Sequence, residues 1–266
     1  MALPEDVVRQ ITEARQVLEN PGLAIRLTDK LGSPVEYLVK KLPGGAQAAI
    51  AGATNKALHA ALGVALRTLD RSGNEPADWL HRAAAAATGA AGGAFGLPAL
   101  AVELPVSLTL MLRSIAAHAR AQGEDLGAVA TRLECLTVFA YGSPSPGDDA
   151  ADSAYFAVRA AFARSVSKAA EYVAEQGVAK ALGERSAPAL VQLIARIAQR
   201  VGVAVTDKAA AQLVPVLGAA GGAAVNTIFM QHYQSVGRAH FTIRRLERQH
   251  GAGEVRAVYE LGGRRD

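Results

Sequence analysis

Gly89-Ala90-Ala91-Gly92-Gly93-Ala94 recurs as Gly218-Ala219-Ala220-Gly221-Gly222-Ala223, and both copies sit in stretches almost empty of charge. Between Ala83 and Leu112 only Glu103 is charged, and between Ala209 and Met230 nothing is. Glycines four apart (Gly89 with Gly93, Gly92 with Gly96, Gly218 with Gly222) fall on one face of a helix, where a second backbone can approach unobstructed. The two stretches are therefore expected to pack against each other as paired helices. The repeated identity covers only six residues of low complexity, which does not establish duplication of a whole half.

The surrounding chain reads as helix throughout. Hydrophobic residues make up 50% of the 266 and aromatics 5%, so the apolar content is mostly Ala, Val and Leu, which suit closely packed helices. Val7, Val8, Ile11, Ala14, Val17 and Leu18 give residues 4–19 an amphipathic helical period, stopped by Asn20-Pro21-Gly22. Ser33-Pro34-Val35-Glu36 has the pattern of a helix start, ended by Pro43-Gly44-Gly45. Residues 46–70 form the next helix, and Gly123-Glu124-Asp125 opens another that runs to about Ala140. Residues 150–181 read as one long helix and Ala187 to Val205 as another, with Thr206-Asp207 as a cap before the second apolar stretch. A basic helix carrying Arg238, Arg244, Arg245 and Arg248 comes last. The expected fold is an all-α multi-helix bundle with two central Ala/Gly-rich apolar segments packed together. It forms a single domain over 1–266, with amphipathic helices in 1–45 and two halves meeting at the Gly/Ser/Pro loop of 142–149.

The same residues exclude several function classes. Net charge is +4, but Lys and Arg alternate with Asp and Glu, which argues against a nucleic-acid partner. The one cysteine, Cys135, allows no internal disulfide and fits a reducing compartment; Glu5, Asp6 and Arg9 interrupt any secretory h-region. A cytoplasmic location is expected. None of the six histidines has the HExxH spacing, His232 and His240 share a helix face without acidic partners, and no metal or cofactor is expected. The glycine cluster lacks the Lys-Ser or Lys-Thr of a phosphate loop, and Gly142-Ser143-Pro144-Ser145 is no nucleophile elbow. With Cys135 in an apolar helical setting, no catalytic constellation emerges, and the protein reads as a non-enzyme.

Glu103 is the most conspicuous residue, because a carboxylate in an apolar run must be paired or solvated. Pro105 favours a helix start beside it, placing Glu103 at a positive helix end, with Arg82 or Arg113 as ion-pair partners. Glu103, Arg113, Asn226 and His232 are the candidates for ligand contact, and Asn226 reads first as a hydrogen bond between helices.

A bilayer span needs roughly 20 apolar residues. The second stretch is just long enough, but its Leu, Val, Ile and Phe residues each contribute only about −0.3 to −0.6 kcal/mol and are opposed by Gln212, Pro215, Asn226 and glycines. In the first stretch Gly96-Leu97-Pro98 and Pro105 break the run. The leading expectation is reversible association with the cytoplasmic membrane face or a membrane protein, with Arg238, Arg244, Arg245 and Arg248 near anionic headgroups. The alternative is a soluble module enclosing a lipid-like ligand between the central helices, with Glu103, Arg113 or His232 at its polar end.

Thr88-Gly89 through Gly96-Leu97-Pro98, Glu103-Leu104-Pro105, Leu112-Arg113-Ser114-Ile115 and Gly123-Glu124-Asp125 resemble the bacterial EcsC protein family. So do Leu213-Val214-Pro215-Val216-Leu217-Gly218 and Gly221-Gly222-Ala223-Ala224-Val225-Asn226. Glu103 stands where that family's pattern has aspartate. The resemblance brings no activity or catalytic residue with it, only an implied link to membrane transport or envelope processes.

Overall fold

The computed structural model describes residues 3–19, 23, 27, 35–71, 78–95, 99–141, 154–183, 187–211 and 218–262. They form α1 (Glu5–Glu19), α2 (Val35–Lys40), α3 (Ala46–Arg67), a 3-10 turn (Leu69–Arg71), α4 (Asp78–Phe95), α5 (Leu100–Ala121) and α6 (Val129–Tyr141). Then come α7 (Ala154–Gln176), α8 (Val178–Gly183), α9 (Pro188–Ala211), α10 (Gly218–His250) and α11 (Ala252–Gly262), and no strand occurs among the described residues. The all-α bundle is therefore the observed fold.

Its centre is α5, buried on α3, α4, α6 and α10. Small side chains allow this crowding: α3 turns Ala53, Ala57, Ala61 and Ala65 inward at helical spacing, and α5 buries Ala116 and Ala119. The α4–α10 pair is antiparallel, with Asp78 near Arg238 at one end and Gly89 against Gly222 at the other. Helix α1 lays Val7, Ile11, Ala14 and Leu18 onto α10 and α11, as its sequence period requires.

Several boundaries differ from the sequence reading. Of the second uncharged run, Ala209–Ala211 belong to α9 and Gly218 onward to α10, and 212–217 lie outside the described residues. Thr206 caps nothing, since it lies inside α9 and its hydroxyl bonds the Gly202 carbonyl at 2.8 Å. The glycine repeat and the arginine-rich segment form one 33-residue helix, α10. Pro105 does not start a helix but lies inside α5, which begins at Leu100. Gly177 divides the expected 150–181 helix because it turns to φ +76°. Gly123, at φ +80°, closes α5, and the Gly127 N–H bonds Asp125 Oδ1 in a turn that delays α6 to Val129. The 142–149 loop and the Ser33-Pro34 start lie outside the described residues.

Candidate functional site

The glycine seam comes first, because it decides whether anything fits between the central helices. A Cβ built on Gly89 would stand 2.3 Å from the Gly222 carbonyl oxygen and 2.6 Å from Asn226 Cβ, so α4 and α10 touch through their backbones. No alkyl chain can pass at that level. Gly93 and Gly218 belong to the same helices, but their surroundings lie outside the described residues. Beside the seam, Asn226 Nδ2 donates to the Ala85 carbonyl at 2.9 Å and lies 3.1 and 3.2 Å from Thr88 Oγ1 and Ser107 Oγ, tying three helices together. Its buried Oδ1 meets no donor among the described residues.

One turn from Ser107 on α5, Glu103 meets Lys208 of α9 at 2.6 Å, with both side chains buried. The Lys208 ammonium also lies 5.2 Å from the centre of the Phe229 ring. Burial holds that ammonium below its ordinary range, and the Glu103 carboxylate acts in the opposite direction. The partner of Glu103 is thus neither Arg82 nor Arg113. Arg82 bonds the Asp78 carbonyl within its own helix, and Arg113 donates to Thr68 Oγ1 at 3.0 Å beside an open recess of about 500 Å³ that also includes His59 and Arg67. His232 is buried against the Tyr233 ring. Glu103, Arg113, Asn226 and His232 therefore do not converge on one cavity.

The four arginines expected at a membrane surface all make bonds within the chain. Arg244 and Arg248 share Glu124, Arg245 reaches Gln122 at 2.6 Å and Gln10 at 2.6 Å, and Arg238 pairs with Asp78 at 2.7 Å. They clamp α10 to the turn after α5, to α1 and to the start of α4. Only Arg238 and Arg248 keep substantial exposure.

A buried relay spans α6, α7 and α10. Tyr155 Oη lies 2.8 Å from His240 Nδ1, His240 Nε2 lies 3.3 Å from Glu134 Oε1 out of hydrogen-bond alignment, and Tyr141 donates to Glu134 at 2.9 Å. Burial opposes the Glu134 charge, but His240, Arg244 and the Tyr141 hydroxyl outweigh it and hold the carboxyl at about 2. Burial likewise keeps His240 below its ordinary range, and pushes the buried Cys135 thiol well up, removing it as a nucleophile.

These shifts fix a pH dependence. The Glu134 carboxyl is lower in the folded state than its ordinary 4.5, so its stabilisation is present above that value and lost as pH falls from 4.5 to about 2. His240 acts in the same direction, because below 6.5 the unfolded chain takes up a proton that the buried ring resists. Urea unfolding free energy is expected to fall by about 3 kcal/mol or more between pH 6.5 and 2.5. A Glu134→Gln variant should show a visibly shallower fall below pH 4.5; an unchanged slope would remove Glu134 from this account.

The remaining feature is a helix face turned outward. Asp78, at the start of α4, is fixed by His118 at 2.9 Å, Ser114 at 3.4 Å and Arg238, while Gln234 donates to its carbonyl. Against this anchored inner side, the next two residues point away: Trp79 is 71% exposed and Leu80 53%. Ala83 and Ala87 continue the exposed stripe along α4, and α5 exposes Val102 at 71% and Val106 at 44%. Among the described residues no three of His, Cys, Asp and Glu group as metal ligands.

The sequence reading named neither this face nor Lys208, Asp78 and the Glu134–His240 contact. Glu134 carried the same signal as Glu103, a carboxylate in an apolar run (Leu133-Glu134-Cys135-Leu136). Tyr155 and His240, 85 residues apart, carried none.

Such a molecule is an all-α bundle with ion pairs closed into its interior and one helix presenting tryptophan and leucine to the outside. The chain belongs to the EcsC protein family, whose sequence model matches residues 5–246. No curated protein and no solved structure matches it.

Proposed function

We propose that the protein associates reversibly with a bilayer surface through the outer face of α4. The observation that carries this reading is the 71% exposure of Trp79, the only tryptophan in the chain, beside an exposed Leu80 on a rigidly anchored helix start. An indole prefers the headgroup boundary, where its ring is dehydrated while its N–H stays near water. Arg238, more than half exposed although paired with Asp78 at the start of α4, adds a cation for anionic headgroups. Arg244 and Arg245 are engaged on the bundle, so a modest salt dependence is expected. Two helices, α5 and α9, are long and apolar enough to cross a membrane, and 61% of the α5 window but only 39% of the α9 window is buried within the bundle. For α5, at the centre of the bundle, that favours a core role over a spanning one.

Vesicle flotation, read together with Trp79 emission, tests this directly. Vesicles containing anionic lipid are expected to carry the protein upward and shift its tryptophan emission to the blue. A Leu80→Ala variant, which keeps the fluorophore, should bind about tenfold more weakly, because burying a leucine side chain contributes about 1.5–3 kcal/mol. Wild-type protein that neither floats nor changes its emission would refute the reading.

One observation favours a second reading, an apolar-chain binder. A mostly apolar groove of about 630 Å³ between α3 and α9 is lined by Ile50, Ala198 and Val203, with Val39 of α2 beside them and Asn55, Gln199 and Asp207 as polar members of the lining. A protein of that kind would extract lipid monomers without floating.

A further inference from the structure

We infer a phosphate-binding site in the groove between α7 and α9, independent of the membrane reading. The groove, about 450 Å³, is lined by Arg164, Ser165 and Lys168 from α7 and by Gln192 and Arg196 from α9. Three cations and no carboxylate face one space. Arg164 and Lys168 stand one turn apart on the same helix face, and neither has a hydrogen bond or ion pair with any described residue. Like charges at this spacing repel, so the arrangement is improved by an anion that bridges them.

Arg196 is already oriented for that role. Its Nη1 donates to the Ala161 carbonyl at 3.2 Å and to Ser165 Oγ at 3.0 Å, which fixes the guanidinium plane against α7 while the other guanidinium nitrogens make no bond to a described residue. A guanidinium held in plane meets two oxygens of a phosphate side by side, and the flanking arginine and lysine supply point charges to the others. Ala189, in the first turn of the 24-residue α9, lines the same groove, so the positive end of that helix dipole adds to the field. Gln192 and the Ser165 hydroxyl add neutral partners. Two negative charges against three cations match a phosphomonoester better than a carboxylate or a diester. The ester is either a small soluble phosphate or a phosphatidic-acid headgroup.

The experiment uses the full chain and three probes: inorganic phosphate, glycerol 3-phosphate, and vesicles with or without phosphatidic acid in phosphatidylcholine. Chloride at matched ionic strength is the control. Phosphate is expected to raise the melting temperature of the wild type where chloride does not, and calorimetry should show a single site. Neutralising both unpartnered cations, Arg164→Gln with Lys168→Gln, should weaken binding about a hundredfold, roughly tenfold for each charge-assisted hydrogen bond removed. That variant should melt no lower than the wild type without ligand, since these side chains bond to nothing and repel each other. Binding of inorganic phosphate and glycerol 3-phosphate marks a small-molecule site; binding of phosphatidic-acid vesicles alone, abolished in the same variant, marks a headgroup site. Equal responses to phosphate and chloride together with no phosphatidic-acid-dependent vesicle binding, or equal binding of the active probe in wild type and variant, overturns the inference.

Discussion

Replacing Gly89 by alanine is expected to lower the unfolding free energy by about 3 kcal/mol or more, at the upper end of overpacking costs. The added methyl would sit 2.3 Å from the Gly222 carbonyl oxygen and 2.6 Å from Asn226 Cβ. No rotamer change relieves that contact, because the nearest atoms are backbone, and the helices must separate. Separation also pulls Asn226 Nδ2 from the Ala85 carbonyl, so a buried amide loses its backbone acceptor in the same step. The matching control is Gly52→Ala, in the middle of α3, where a Cβ meets nothing within 4 Å. There the substitution should stabilise by about 0.5–1 kcal/mol, since alanine restricts the unfolded chain and favours helix. Urea unfolding followed by circular dichroism measures both. If Gly89→Ala behaved like Gly52→Ala, the backbone contact between α4 and α10 would not exist in solution.

The seam was legible in the sequence because small residues at four-residue spacing have one geometric meaning in a helix, whatever solvent surrounds it. The helical class followed from the same source: apolar content dominated by alanine, valine and leucine, with a helical period from Val7 to Leu18. Breaks were harder to read. Nothing in residues 150–181 announces that Gly177 turns left-handed rather than continuing, and Thr206-Asp207 looks like a cap but sits inside α9, where the threonine hydroxyl bonds back to Gly202. The uncharged run from Ala209 to Met230 suggested one long apolar unit, although composition carries no information about where a helix stops. The polar interior was half legible. Glu103 and Asn226 stood out as misfits in apolar runs, but a misfit does not identify its partner, and the partner of Glu103 lies 105 positions away. The arginines of α10 illustrate the opposite error: a basic helix face reads as free charge until Glu124 and Gln122, from the end of α5, are found against it.

Removing either partner of the Glu103–Lys208 pair is expected to cost about 3–5 kcal/mol, because each substitution leaves the opposite charge in the core without its ion-pair partner. Lys208→Met leaves a carboxylate there; Glu103→Gln leaves an ammonium whose remaining compensation is the Phe229 ring. The deficit of Glu103→Gln should depend on pH. Burial already holds the Lys208 ammonium below the ordinary 10.5, so between its folded value and 10.5 the unfolded state binds more protons and stability rises with pH. Without Glu103 to oppose burial, that window widens downward, and the Glu103→Gln deficit should shrink as pH is raised from 7 to 10. The double replacement Glu103→Leu with Lys208→Met removes both charges and should recover most of the stability, as buried ion pairs replaced by apolar groups of similar volume often do. Urea midpoints for Glu103→Leu, Lys208→Met and the double variant, with Glu103→Gln beside them, at pH 5, 7 and 10 complete the cycle. Strictly additive deficits, independent of pH, would mean that the two side chains do not share one closed site, and the contact joining α5 to α9 would have to be redrawn.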